Sequence, residues 1–250
     1  MALLDEKQVR LMSNNGTRGP VVVARGDVLT PGARDWLRDR KVEVVFPQGK
    51  PETAAVGRDD PGAPPRTKYQ TLFGAGLDEK PEHMTHLKGN TLVFKDHPRI
   101  AFRGYIDLLE AEIVLCQRTC ADTGYRVLAE ELEEVLKFVR MFIRYDVLDE
   151  PVGEVKLCSL GPDELRAQSH YPERYFGQPH FLVHYTDAPA ILAVNKVRTV
   201  VRQTELAAYR AFKDENGAVA RNDIILGLNR LSSLMWIIMI KLKAGKYEHN

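Results

Sequence analysis

The chain has 250 residues, enough for one full domain and a smaller appendage. Hydrophobic residues make up 44 % of it, so a sizeable core can be buried, and 35 basic residues balance 34 acidic ones, which removes any electrostatic reason for a nucleic-acid partner. An odd set of cysteines (Cys116, Cys120, Cys158) argues against a disulfide framework, no signal-peptide core opens the chain, and the longest apolar run, Leu234 to Ile240, is far short of the ~20 residues that span a bilayer, so a soluble cytoplasmic protein is expected.

Residues 1–47 read as a small α+β module. VVVAR (21–25) is a β-branched strand, Thr30-Pro31 pairs an N-cap with proline at the first helical position, GARDWLRDRK continues that helix, and VEVVF (42–46) alternates as a second strand. Residues 48–83 carry many prolines and glycines and read as a linker or irregular loop.

Residues 84–250 read as a helical domain. Four stripes recur at spacings of three and four: Phe102, Ile106, Leu109, Ile113, Cys116; Leu128, Leu132, Val135, Val139, Phe142; Ile191, Val194, Val197, Val201, Ala208; and Ile224, Leu228, Leu231, Met235, Ile238. Each stripe needs another helix to cover it, so the fold class is mainly α, a four- or five-helix bundle behind the small module. The bundle is interrupted over 149–185 by a long connection with a short helix, PDELRAQS, begun at Pro162; such connections are usually functional when ordered.

The third stripe is flanked by Asn195, Arg198, Arg202 and Glu205, spaced so that they share one helix face. Two guanidinium groups a turn apart suit a polyphosphate, and a carboxylate a turn further on suits an arginine or a ribose hydroxyl; a solvated, salt-bridged face has the same spacing. In LNRLSS, Asn229 lies beside the fourth stripe, where its amide reaches either a ligand or a neighbouring helix. Lys95, Arg99 and Arg103 cluster around a helix start, a place that favours anions, while Asp107 two turns further in either finds an arginine or stays an exposed charge. His83/His86 and His180/His184 have no CxxC beside them and read as ordinary loop residues, and Cys116 and Cys120 as helix thiols, so no structural transition metal is expected. A P-loop, a GxGxxG fingerprint and a GxSxG elbow are all absent from the sequence.

Several of these segments resemble one family in its own order. KDHPRIAFRGYID is similar to the K-D-x-R…G-x-x-D opening of the bundle in ATP:cob(I)alamin adenosyltransferases, VRTVVRQTE to their R-x-x-x-R-x-x-E helix, and LNRLSSLMWIIM to their L-N-R-L-S-D helix. The ethanolamine-utilisation branch is matched further by LTPGARDWLRDRKVEVVF, by Thr85-His86-Leu87, and by a DEP…DEL…SH-x-P-x-R-Y-x-G stretch that includes Asp149, Asp163, Ser169, His170, Arg174 and Gly177. The resemblance implies a ferritin-like bundle that moves the 5′-deoxyadenosyl group of ATP, bound with Mg²⁺, onto cobalamin as substrate. It further implies a homo-oligomer, dimer or trimer, in the cytoplasm or a bacterial microcompartment, alongside a reductase and an adenosylcobalamin-dependent ammonia-lyase.

Carried over residue by residue, the resemblance makes Asp107, Arg198 and Arg202 the catalytic set, with Arg198 and Asp107 paired across a subunit interface. Lys95, Arg99, Glu205 and Asn229 hold ATP, and Phe181 faces the corrinoid. Two departures stand out: THLKGNT replaces the TGDxGTT loop of the propanediol-utilisation type, and residues 48–82 contain neither His nor Cys where some relatives carry a His…CCxxC metal motif. A non-catalytic corrinoid- or nucleotide-binding scaffold protein is the alternative that these departures leave open.

Overall fold

The computed structural model describes residues 67–248 throughout and, before them, residues 3–4, 6–14, 21–23, 28–30, 32–33, 36–37, 40, 42 and 44–45. The chain divides into two compact units, Met1–Thr67 and Lys68–Asn250.

In the first unit, β1 (Leu3–Leu4) pairs in parallel with β3 (Val28–Leu29), and β2 (Val21–Val22) with β4 (Val44–Val45); α1 (Glu6–Asn14) lies between β1 and β2 in sequence. Gly32, Ala33, Trp36 and Leu37 are helical, and Thr30 Oγ1 accepts the Ala33 N–H at 3.3 Å, the cap expected from Thr30. Leu4, Val9, Val21, Val23, Ala33, Trp36 and Leu37 form a small core of their own. Short strands at 21–22 and 44–45 flank the helical residues as expected, with β1, α1 and β3 besides them; the ends of both expected strands and most of the expected linker lie outside the described residues.

The second unit opens with a four-stranded sheet, not with the bundle. β5 (Tyr69–Thr71), β6 (Gly76–Leu77), β7 (Met84–Lys88) and β8 (Thr91–Phe94) are ordered β6-β5-β8-β7, with β5 and β8 parallel and the other pairs antiparallel. Residues 69–83 thus belong to this unit and not to a linker ending at 83. The strands are so short that the glycine and proline of their turns dominate the composition and hide the pairing. The THLKGNT segment is the β7–β8 hairpin, turned at Gly89, whose φ of +54° suits glycine.

Four long helices follow: α2 (Pro98–Asp122), α3 (Arg126–Leu148), α6 (Pro189–Phe212) and α7 (Asn222–Lys243). Every member of the four stripes is buried. The α2–α3 and α6–α7 connections are short, so those pairs are antiparallel, and Phe102 at the start of α2 meets Phe212 at the end of α6. α3 and α6 therefore run the same way, which requires the long crossover containing α4 (Pro162–His170) and α5 (Pro172–Phe176). Gly227 closes the bundle: a Cβ there would stand 3.1 Å from Phe142 Cζ and 3.4 Å from Phe138 Cζ. By length and composition α7 could cross a bilayer, which the run Leu234–Ile240 does not convey; most of its apolar side chains are buried against the other helices, with Leu226 exposed.

Candidate functional site

The outer sides of α6 and α7, roofed by the crossover, form a cleft of about 560 Å³. Core-facing residues of both helices point away from it, so their polar faces converge: Arg198 and Arg202 from α6, and Asn229, Arg230, Ser232, Ser233 and Trp236 from α7. The roof is α4, started by Pro162 and by the Gly161 N–H donating to Glu164 Oε2 at 2.9 Å, and packed on α7 through buried Leu165. From it Arg166, Ser169 and His170 complete the lining, with His180 from the loop beyond α5.

Four guanidinium groups thus share one cleft whose lining includes no carboxylate. Among the described residues the Nε atoms of Arg198 and Arg230 are buried without a hydrogen-bond partner, and a buried unpaired donor costs about 1–3 kcal/mol until something supplies an acceptor. Burial and then the neighbouring Arg202 push the Arg198 guanidinium below its ordinary range. On the rim, Asn229 Nδ2 donates to Glu205 Oε1 at 3.1 Å and Arg230 Nη1 donates to Asn229 Oδ1 at 2.8 Å. The arrangement is built for an extended polyanion, with amide and hydroxyl groups at one edge.

Beside the arginines is an aromatic group. Trp236 Nε1 donates to His180 Nδ1 at 3.1 Å, the Phe181 ring stacks on the indole at 5.4 Å, and the Arg198 guanidinium lies 5.1 Å from the indole centre. Lys243 packs 5.4 Å from the Phe181 ring and pairs with Asp187, which accepts the His184 N–H at 2.8 Å and so shapes the loop. Leu182 and Tyr185 stand almost fully exposed on that loop.

Lys95, Arg99 and Asp107 do not line this cleft. Lys95 pairs with exposed Glu82 at 3.1 Å. Arg99 and Arg103 donate through Nε to the wholly buried carboxylate of Asp146, at 2.7 and 2.6 Å, and Arg103 reaches on to the carbonyls of His86 and Leu87 in the β7–β8 hairpin. Nearby, Arg221 joins α3 to α7 through the Tyr145 and Glu150 carbonyls and the Asp223 carboxylate. Burial alone would raise the Asp223 carboxyl, but Arg221 and the Val152 N–H together hold it below its ordinary range. Asp107 is exposed on α2 and makes no ion pair with a described residue.

Within one chain, then, Arg198, Arg202, Glu205 and Asn229 come together, Phe181 lies next to them through Trp236, and Lys95, Arg99 and Asp107 sit elsewhere. Arg166, Arg230, His180 and Trp236 were missed from the sequence. Arg166 and His180 are in the irregular crossover, and the Asn229–Arg230–Trp236 spacing was legible only as a stripe edge. Among the described residues no group of three His, Cys, Asp or Glu forms a metal-binding arrangement. Cys158 is pushed up to about 12, chiefly by burial, which leaves it a protonated, unreactive thiol.

The fold is a crossover four-helix bundle with a guanidinium-lined cleft between its last two helices. The cobalamin adenosyltransferase family profile matches residues 77–242, so this chain belongs to that family of transferases. It is 31 % identical over 226 residues to the corrinoid adenosyltransferase EutT of Salmonella typhimurium, covering 85 % of this chain and 81 % of the relative. EutT of Escherichia coli K12 is 30 % identical over 224 residues with the same coverage. Among solved structures, a variant PduO-type ATP:co(I)rrinoid adenosyltransferase from Lactobacillus reuteri, complexed with ATP, superposes with a TM-score of 0.50 at 18 % identity, over 67 % of this chain and 94 % of that one, and shares the fold.

Proposed function

We propose that this protein transfers the 5′-deoxyadenosyl group of ATP to the cobalt of cob(I)alamin, releasing triphosphate, in ethanolamine catabolism. The observation that carries this reading is the carboxylate-free cleft with four guanidinium groups, two of them holding buried donors with no partner. Reduced cobalt is a strong nucleophile, so the protein need not create one. Cobalt attacks the ribose C5′, the C5′–O bond breaks, and its electron pair leaves on the triphosphate. Arg198 and Arg202 stabilise the charge that builds there, and Glu205 and Asn229 hold the nucleoside end. Mg²⁺ arrives with the nucleotide as its counter-ion.

Supplying Co(I) requires reduction of cob(II)alamin, which becomes easier once the lower axial ligand is gone. Phe181, backed by Trp236, presents the apolar ring that would exclude that ligand and water. Asp107 and Arg198, each without an ion pair among the described residues, are the pair assigned to an interface between two copies in a homo-oligomer. Lys95 and Arg99 help with the triphosphate; a reductase and an adenosylcobalamin-dependent lyase complete the pathway.

The test is to give the folded protein MgATP and chemically reduced cob(I)alamin and to follow adenosylcobalamin by its visible spectrum, with triphosphate as co-product. Stoichiometric appearance of both is the expected result. Binding of either substrate without turnover would favour the non-catalytic scaffold reading instead.

A further inference from the structure

His180 sits where three elements meet. Its Nδ1 accepts the indole N–H of Trp236 at 3.1 Å, and its Nε2 lies 3.3 Å from the carbonyl oxygen of His170, the last residue of α4. An indole nitrogen only donates and a carbonyl only accepts, so the two partners together select the neutral imidazole with its hydrogen on Nε2. The ring is also nearly parallel to the indole, at 13°. His180 is therefore a strut from the end of the roof helix to the middle of α7, and the residue after it in the chain is Phe181.

Trp236 is the shared surface of the site. The Phe181 ring stacks on it, the Arg198 guanidinium packs against it, and Arg198 Nε finds no hydrogen-bond partner among the described residues. Among the described residues no other acceptor takes the indole N–H. A rotated indole would displace the cleft arginine and the neighbouring aromatic ring together.

We propose that His180 is a positioning residue of the transfer reaction: by accepting the Trp236 N–H it fixes one indole, and through it both the Arg198 guanidinium and the Phe181 ring. This rests on the function proposed above, and it adds a residue of the cleft lining that acts through Trp236. It also explains why a roof helix is tied to the loop rather than left to cover the cleft passively.

The experiment is a double-mutant cycle in the full-length protein, with His180→Ala, Trp236→Phe and the double variant, plus His180→Asn as rescue. The Asn amide oxygen can accept the indole N–H where Nδ1 did; Trp236→Phe keeps an aromatic ring and removes the donor. Turnover is measured with cob(II)alamin plus reductant and with preformed cob(I)alamin, and folding is checked by circular dichroism. We expect His180→Ala and Trp236→Phe each to lower kcat with cob(II)alamin by about tenfold to a hundredfold, the range for misplaced catalytic groups. KM for MgATP should change far less, the double variant should be no worse than the poorer single, and His180→Asn should recover most of the loss. A parent that makes no adenosylcobalamin would sink the proposed function and this role with it. With an active parent, a His180→Ala variant like the parent, additive losses in the cycle, or an Asn variant as poor as Ala would each overturn the role of His180 alone.

Discussion

Asn229 Nδ2 donates to Glu205 Oε1 at 3.1 Å, tying α7 to α6 across the rim of the cleft, while Asn229 Oδ1 accepts Arg230 Nη1 at 2.8 Å. One amide thus holds a carboxylate and a guanidinium apart at the edge of a cationic site. Removing it by Asn229→Ala frees Glu205 to fold toward the arginines it now faces only indirectly. KM for MgATP should rise by roughly tenfold, the loss of a charge-linked hydrogen bond or two, with little change in melting temperature because Asn229 is exposed. Steady-state kinetics beside a thermal melt separates the two effects.

Arg202 lines the cleft and has no ion pair with a described residue. Arg202→Ala should lower kcat/KM for ATP by about two orders of magnitude, and Arg202→Lys should recover only part of it, because an ammonium keeps the charge and loses the forked geometry. If Lys restored full activity, charge alone would be sufficient and the forked contact would be the wrong picture.

The four stripes were legible because burial on one face of a long helix leaves a period that composition cannot hide. The short helix at Pro162 and the Thr30 cap were legible from local chemistry. The sheet over 69–94 was not, since its strands are two to five residues long and register comes from backbone pairing that sequence does not display. The site was half legible. Arg198 and Arg202 announce themselves by spacing, but Trp236 looks like one more apolar residue of α7, and His180 acquires meaning only when the crossover brings it to that indole.

Gly227 of α7 lies against Phe138 and Phe142 of α3. Gly227→Ala would set a methyl 3.1 Å from Phe142 and 3.4 Å from Phe138, two rings that also pack edge-to-face on each other. The Phe142 ring is wholly buried and must shift to admit the methyl, so the overpacking should cost about 1–3 kcal/mol despite the better helix propensity of alanine. A lower melting temperature with unaltered helical circular dichroism is the expected outcome; a rise would show that the helices separate without penalty.

The Asp146 carboxylate is the knot at the sheet end of the bundle, wholly buried and bonded by both Arg99 and Arg103. Asp146→Ala leaves two partly buried guanidinium groups facing each other. Removing one partner of a buried ion pair costs about 3–5 kcal/mol. Because Arg103 also holds the His86 and Leu87 carbonyls, the β7–β8 hairpin should loosen first. Hydrogen exchange is expected to show residues 84–94 losing protection more than α6 does.

His97 caps α2: its Nδ1 accepts the Arg99 N–H at 3.2 Å, just ahead of Pro98 at the first helical position. Burial, then the cations Arg99 and Arg103, lower its pKa from the ordinary 6.5, against the opposing pull of Asp146 and Asp96. The fold therefore prefers the neutral ring, the form that can accept. Such a group contributes stability that is fully present above pH 6.5 and is lost as pH falls through the depressed folded value. His97→Asn retains an N-cap acceptor and removes the titration. The parent's melting temperature should fall relative to the Asn variant as the pH is taken from 7.5 to 5, roughly the span in which a histidine charges, and the two curves should run parallel above neutrality. Parallel curves throughout would mean that the imidazole cap contributes nothing that protonation can remove.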